Sequence, residues 1–365
     1  MDIFTKISSI TYKPYLCKLL CEVDRSELEI ALSQNASFIL KIDLINKIAL
    51  SWWVSAKRTR SYPYARVYDT LGFIGKKITI IPVYKDEGKD GDRDFLQWDT
   101  ISLMSLLGVY VIISYYSKAE KNIDYENKIT NQRFDISHIQ NEIERLSFYK
   151  SDSLHWNIGQ IENIGQIENI GNIAKQALLS YEKISNMTQV VMHSMVSAEK
   201  RINKLVESKK AFMHLSRELA KKAQMRESVT IQPKEYLNGS KSVITIKNFL
   251  GGKYYFTADE VFIKGRNIYL VEGKHSKNSI LPSLEDIKDG LIKMVLFSNL
   301  EKAKVNNRDY IVVPILRLTS DLDFSLDALN KSQLNTLRLL KKESEENHFK
   351  VFINKNGLSN IIIEL

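Results

Sequence analysis

The sequence predicts an α/β protein of the α+β type, with sheet-forming stretches towards both ends and helices between them. Three observations point there. Alternating, β-branched runs occur near the two ends of the chain, while apolar residues in the middle recur at spacings of three and four. Of the 365 residues, 44% are apolar and 26% charged, the balance of a chain that buries cores rather than of a disordered one. A length of this order suits about two domains. The shifts in pattern assign 1–134 to an α/β segment, 135–228 to a helical region and 229–365 to a second α/β core.

In the first segment, Asp24–Gln34 (DRSELEIALSQ) has helical spacing, and Ile48–Ala56 and Lys77–Tyr84 read as strands. Glu87-Gly88 and Asp90-Gly91 mark an exposed turn. The uncharged run Ile101–Ser117 falls short of the ~20 residues that span a bilayer, and reads as a buried helix turning at Gly108 into a strand over Val109–Tyr116. Cys17 and Cys21 have the gap of one helix face and no partners at zinc-ligand spacing, so they read as buried free thiols. The N-terminus MDIFTKISSITYKPY lacks the apolar core of a signal peptide. A cytoplasmic protein with no membrane segment is expected.

The middle region contains three helical stretches, HIQNEIERLSFYK, IAKQALLSYEKIS and SMVSAEKRINKLVESKKAFMHLSRELAKKAQ. Between the first two lies a hexapeptide repeat, NIGQIE-NIGQIE-NIGNIA, over residues 157–174. Glycine at every sixth position weakens a helix by about 1 kcal/mol each time. The repeat reads as a duplicated stretch in a tolerant connection or helix start, with a repeated binding surface as the alternative.

The last segment reads as strands Ser242–Asn248, Asp259–Lys264 and Ile268–His275, helix Leu284–Leu300, strand Tyr310–Leu316, a helix near Gln333–Glu346, and strands His348–Asn354 and Ile361–Glu364. Gly265-Arg266-Asn267 is a turn signal between two apolar runs, so the second and third strands form a hairpin. Side chains alternate along a strand, so Glu272 and Lys274 share a face, and the hairpin folds Asp259 back against them. Two carboxylates and an ammonium then converge at a sheet edge. Phosphodiester hydrolysis uses such a set. Carboxylate oxygens bind a hard divalent cation such as Mg²⁺, which polarises the phosphate and acidifies a water, while a lysine stabilises developing charge. The backbone carbonyl of Gly273 is a further candidate ligand. The bland reading is a surface hairpin whose charges pair in water.

Asp259 followed across a hairpin by Glu272-Gly273-Lys274 resembles the PD-(D/E)xK signature, and the order of elements resembles the restriction-endonuclease-like mixed-sheet core of that nuclease superfamily. Ala258 stands where the motif's name has Pro. The resemblance implies Asp259 and Glu272 as Mg²⁺ ligands and Lys274 as the catalytic lysine. Glu260 alternates to the other face and is the lesser candidate. A carboxylate from the preceding helix is common in the superfamily, and Glu218, Glu227 and Glu235 all qualify.

The remaining sequence suits a nucleic-acid partner. Lys plus Arg exceed Asp plus Glu by 52 to 43, and the pI is about 9.2. Cations and aromatics interleave over Ser51–Tyr68, where Lys57, Arg58, Arg60, Tyr62, Tyr64 and Arg66 are candidate DNA contacts, against the alternative of a core strand followed by a basic turn. His275 and Lys277 are further candidates beside the ExK strand. Acidic residues 86–99 lack calcium-loop spacing and read as a helix start paired with the preceding arginines, with a second metal site as the alternative. These features predict a type II restriction endonuclease that hydrolyses double-stranded DNA with Mg²⁺, acts as a homodimer on palindromic sites and has a separate cognate DNA methyltransferase. The alternatives are a repair, junction-resolving or signal-gated defence nuclease, and a non-enzymatic DNA-binding protein.

Overall fold

Strand β1 (Asp2–Ile7) alternates exposed and buried residues, so Ile3, Thr5 and Ile7 form an inner face in the computed structural model of the protein. The structure describes residues 1–56, 63–162, 169–206, 240–248, 253–354 and 356–358. It is mixed α/β, with one eight-stranded sheet, one five-stranded sheet and two small ones among the described residues. The chain divides into two compact units, residues 1–18 with 217–365, and residues 19–216. This grouping differs from the sequence segmentation. The first strand goes with the C-terminal core, because its partner lies far along the chain and no local pattern announces that pairing. The N-terminal α/β segment and the helical region form one unit.

In the unit 19–216, β2 (Glu22–Asp24), α1 (Leu28–Gln34), β3 (Ser37–Lys41), β4 (Lys47–Trp52), α2 (Pro63–Thr70) and β5 (Lys77–Pro82) follow in order. A short hairpin β6–β7 (Tyr84–Asp86, Arg93–Phe95) precedes α3 (Trp98–Leu106), β8 (Val109–Ser114) and the hairpin β9–β10 (Tyr116–Lys121, Ile129–Phe134). The helices α4 (Ile136–Ser147), α5 (Ser153–Glu162), α6 (Ile170–Thr188) and α7 (Met195–Val206) complete it. The main sheet has the order β2-β3-β4-β5-β8, with β4, β5 and β8 parallel. Strands covered on both faces read as continuous apolar runs, which is why Ile78, Ile80 and Ile81, like Val111, Ile112 and Ile113, are all buried. Gly108, at φ 68°, makes the expected turn from α3 into β8.

Two sequence readings are revised by the structure. Cys17 is half-buried and Cys21 exposed, neither forms a disulfide, and neither lies in a helix. The hexapeptide repeat is helical where it is described: its first copy lies in α5, and its third copy opens α6 behind the Asn169 N-cap, the helix start that the sequence suggested. Asn157 accepts from the Val111 N–H (2.7 Å) and donates to the Val109 carbonyl (3.0 Å), while Gln160 accepts from the Ile113 N–H (3.1 Å) and donates to the Val111 carbonyl (2.6 Å). These side chains satisfy the open edge of β8, the end strand of the sheet. Residues 163–168 lie outside the described residues.

In the other unit, the strands are β1, β11 (Ser240–Asn248), β12 (Lys253–Lys264), β13 (Asn267–Ser276), β14 (Ala303–Val305), β15 (Arg308–Ser320), β16 (Lys350–Ile353) and β17 (Asn356–Gly357). The order is β13-β12-β11-β1-β14-β15-β16-β17, and β13 also pairs in parallel with β15, so six strands form a closed circuit. The expected strand Ile361–Glu364 lies outside the described residues. Helix α8 (Leu284–Phe297) is capped by Ser283, whose hydroxyl accepts from the Asp286 N–H (3.1 Å), with Glu285 and Asp286 in its first turn. Every residue from Gly290 to Phe297 is buried, as for a helix enclosed by packing rather than laid on a surface. Helix α9 (Lys331–Glu346) starts with a capping box formed by Asn330 and Gln333. No described helix is long and apolar enough to cross a membrane.

Candidate active site

The β12–β13 hairpin closes through Gly265-Arg266, with Gly265 at φ 61° and Lys264 paired with Asn267. Glycine at the first central position gives the turn its required backbone without a side-chain penalty. From that turn the register runs unbroken to Glu260 opposite Val271. Asp259 and Glu272 are the next residues along the two strands. On its other edge β12 is irregular, because Ser242 of β11 faces Ala258 while Ser240 faces Val261. A bulge of this kind ends regular pairing and re-aims side chains. Here the Gly273 N–H donates to Asp259 Oδ2 (2.8 Å) instead of continuing the backbone ladder. In extended backbone a residue's N–H and C=O lie on the same edge, so the Gly273 carbonyl is also on the Asp259 side.

Glu272 is almost fully buried, at 2% side-chain exposure, and is shared between two lysines. Its Oε1 lies 3.2 Å from Lys274 Nζ, and its Oε2 accepts from Lys293 Nζ at 2.5 Å. Lys274 donates to Asp289 (2.8 Å), and Lys293 also reaches the Thr257 carbonyl (3.4 Å). Burial pushes the Glu272 carboxyl up, but Lys293 and Lys274, with a hydrogen bond from Lys293, override it and hold the group at about 2. Burial pulls the Lys274 ammonium down, and Glu272 and Asp289 outweigh that pull and leave it raised.

The structure therefore brings Asp259, Glu272, Gly273 and Lys274 together. Sequence reasoning missed Asp289 and Lys293, which lie one turn apart on α8. The available signal was a pair of charges at i and i+4 on a helix otherwise buried, directly after the ExK strand. Glu260 turns to the reverse face of the sheet and pairs with Arg317, which stands opposite Gly273 on β15. Glu218, Glu227 and Glu235 lie outside the described residues. A cleft of about 390 Å³ opens beside the end of β13, lined by His275, Ser276, Ser279, Ser283, Asn330 and Gln333 among others.

The donor chemistry fits a hard divalent cation in type, since Asp259 and Glu272 are carboxylates in contact at a strand end with a backbone carbonyl edge beside them. Among the described residues no group of three His, Cys, Asp or Glu side chains is arranged to hold a metal. Asp259 and Glu272 would be the ligands, and both oxygens of Glu272 face ammonium groups.

The other predicted contacts fall elsewhere. Lys57, Arg58, Arg60 and Tyr62 lie outside the described residues. Tyr64 is buried against Trp53, and the Arg66 guanidinium lies over the Trp52 ring at 4.2 Å and donates to the Trp52 carbonyl (3.1 Å). Both secure α2 against β4; Tyr64 is buried there, whereas Arg66 stays partly exposed. His275, 9% exposed, sits between Thr319 Oγ1 (3.0 Å) and Asp321 (3.3 Å), so it is bound within its own unit, whereas Lys277 is exposed. The acidic stretch is a helix start only at its end, where Asp99 lies in the first turn of α3, and of the preceding candidate arginines the described one, Arg66, is engaged with Trp52. Its first part forms the β6–β7 hairpin. Asp86 is fully buried and accepts from Tyr84 OH (2.5 Å), lies 2.7 Å from His193 Nδ1 and caps the Gly88 N–H (2.9 Å), while Glu87 pairs with Lys85 (2.8 Å) and Asp94 with Ser55.

Comparison with protein-family models, with curated proteins and with solved structures finds no match to this chain.

Proposed function

We propose that this protein is a metal-dependent endonuclease acting on double-stranded DNA. The observation that carries the reading is the meeting of Asp259, Glu272 and Lys274 at the end of the β12–β13 hairpin, with Glu272 kept ionised although buried. A divalent cation, Mg²⁺ in the first instance, supplies Lewis-acid polarisation of the phosphate and an acidified water when bound. The chain's own part is to hold and exclude. Asp259 is oriented by the Gly273 N–H, Glu272 remains a carboxylate at any neutral pH, and Lys274 stays protonated to balance charge on a phosphate oxygen. The net positive charge of +9 favours a polyanionic substrate.

Within this class, a type II restriction endonuclease acting as a homodimer beside a separate methyltransferase is the specific form we favour. The size of the unit 19–216, which contributes none of the candidate catalytic residues, supports dedicated recognition. One observation favours a non-enzymatic DNA-binding protein instead, namely that Glu272 is already engaged by two lysines, as in a structural ion network. Incubation of supercoiled plasmid with the protein and Mg²⁺ or Mn²⁺ separates these readings. Discrete bands lost in Asp259→Ala, Glu272→Ala and Lys274→Ala support restriction. Cleavage without preferred sites, lost in the same variants, points to a repair or defence nuclease. Binding with no cleavage in either metal favours the non-enzymatic protein, and full activity in any of the three variants rejects the site.

A further inference from the structure

Lys293 takes no part in the chemistry described so far, yet it makes the shortest contact that Glu272 has with a cation. Its Nζ lies 2.5 Å from Glu272 Oε2 and 3.4 Å from the Thr257 carbonyl, and its side chain is 6% exposed. A carboxylate oxygen and a backbone carbonyl are the same hard donors that a divalent ion takes. Lys274 differs. It has a second carboxylate, Asp289, at 2.8 Å to hold it when Glu272 turns to another partner. The five side chains Asp259, Glu272, Asp289, Lys274 and Lys293 bring three negative and two positive charges, one net negative charge for a doubly charged guest. An ammonium and a divalent cation on one carboxylate oxygen repel strongly in a buried, poorly screened site.

We propose that Lys293 is a resident counter-ion that occupies Glu272 Oε2 in the metal-free protein and competes with the divalent cation for it. Metal entry then requires Lys293 to leave Glu272, so this lysine sets the metal affinity of the site. The proposal rests on the reading of Asp259 and Glu272 as metal ligands.

Isothermal titration of Mn²⁺ into the full chain tests it, with wild type compared against Lys293→Met, Lys293→Gln and Glu272→Gln. Both Lys293 variants are expected to bind Mn²⁺ about tenfold tighter than wild type, because the ion no longer displaces a paired cation. Mn²⁺ is also expected to raise their melting temperature by more than it raises that of wild type. Glu272→Gln is expected to lose binding. Equal or weaker binding by both Lys293 variants, with Glu272→Gln still deficient, overturns the counter-ion role and leaves the metal site standing. Binding untouched by Glu272→Gln, or absent from every protein, overturns the metal site and the counter-ion role with it. If neither Lys293 variant folds alone, circular dichroism in excess Mn²⁺ decides: recovery of the wild-type spectrum supports the proposal, and failure to recover overturns it.

Discussion

Gly290 of α8 lies so close to the Lys274 side chain that a β-carbon there would stand 3.2 Å from Lys274 Cε and 2.8 Å from Leu316 Cδ1. A glycine inside a helix costs about 1 kcal/mol relative to alanine, so its presence in the middle of α8 needs a reason. The reason here is space, because the lysine stem passes over the one position on the helix that has no side chain. Gly290→Ala therefore gains helix propensity but overpacks a closed core, at about 1–3 kcal/mol. The expected result is a net loss of stability of up to about 2 kcal/mol, together with a drop in DNA cleavage of about tenfold or more as Lys274 is displaced. Unchanged cleavage and melting temperature in Gly290→Ala would show that Lys274 adapts freely and that the close approach has no consequence.

The acid limb of stability offers a second test. Glu272 titrates at about 2 in the folded protein against an ordinary 4.5, so its contribution is present in full above 4.5 and is lost as pH falls from there towards 2. The size is on the order of 3 kcal/mol for a fully buried group held by two lysines. Lys274 runs the opposite way. Its raised value makes its contribution fully present below the ordinary 10.5 and lost only as pH rises through the folded value, so it leaves the acid limb unchanged. Urea unfolding followed between about pH 5 and pH 2 is expected to show a steeper loss of stability for wild type than for Glu272→Gln. Parallel curves for the two proteins would mean that the ion network around Glu272 is not formed in solution.

The hairpin that carries this site was legible because its information is local. A glycine turn, two apolar runs and a two-residue side-chain period put Glu272 beside Lys274 and fold Asp259 back towards them, without any knowledge of the rest of the fold. Asp289 and Lys293 were not legible in the same way. They reach Glu272 and Lys274 only because α8 is buried against β13 and β15, and that packing depends on the parallel β13–β15 pairing across an intervening helix. The same limit hid β1. Its alternating apolar residues suit many partners, and nothing nearby specifies the parallel pairing with β11. At 84–95 the acidic residues suggested exposure, yet Asp86 and Asp94 are buried because Tyr84, His193 and Ser55 supply their hydrogen bonds, and those partners are scattered along the sequence.

Glu343 gives a stability prediction away from the site. It is fully buried on α9 and accepts from Tyr12 OH (2.6 Å) and from the backbone N–H groups of Tyr15 (2.8 Å) and Leu16 (3.1 Å). Asn347, one turn later, accepts from the Lys13 N–H (2.8 Å) and donates to the Lys13 carbonyl (2.9 Å). Together they hold the irregular segment after β1 against the helix. Truncation leaves backbone donors unsatisfied at about 1–3 kcal/mol each. Glu343→Ala is thus expected to lower the unfolding free energy by about 3 kcal/mol or more and to expose residues 8–18 to limited proteolysis. Glu343→Gln, which keeps one acceptor oxygen, is expected to fall between. A wild-type urea midpoint in Glu343→Ala would contradict this role.

Arg66 separates folding from DNA contact. Its guanidinium covers the Trp52 ring and donates to the Trp52 carbonyl, and Trp52 is itself fixed by an Nε1 hydrogen bond to the Asn35 carbonyl (2.8 Å) and by an edge contact with Phe134. A cation over an aromatic face contributes about 0.5–2 kcal/mol, and the planar group also packs α2 against the sheet. Arg66→Ala is expected to lower stability by about 1–2 kcal/mol while leaving the salt dependence of DNA binding unchanged. Loss of a residue that neutralises a phosphate has a different signature, because the slope of log K against log salt then shrinks by about one. Duplex binding measured by fluorescence anisotropy at several salt concentrations distinguishes the two. A shallower slope in Arg66→Ala at unchanged stability would return Arg66 to the DNA interface and reverse the assignment drawn from its place over Trp52.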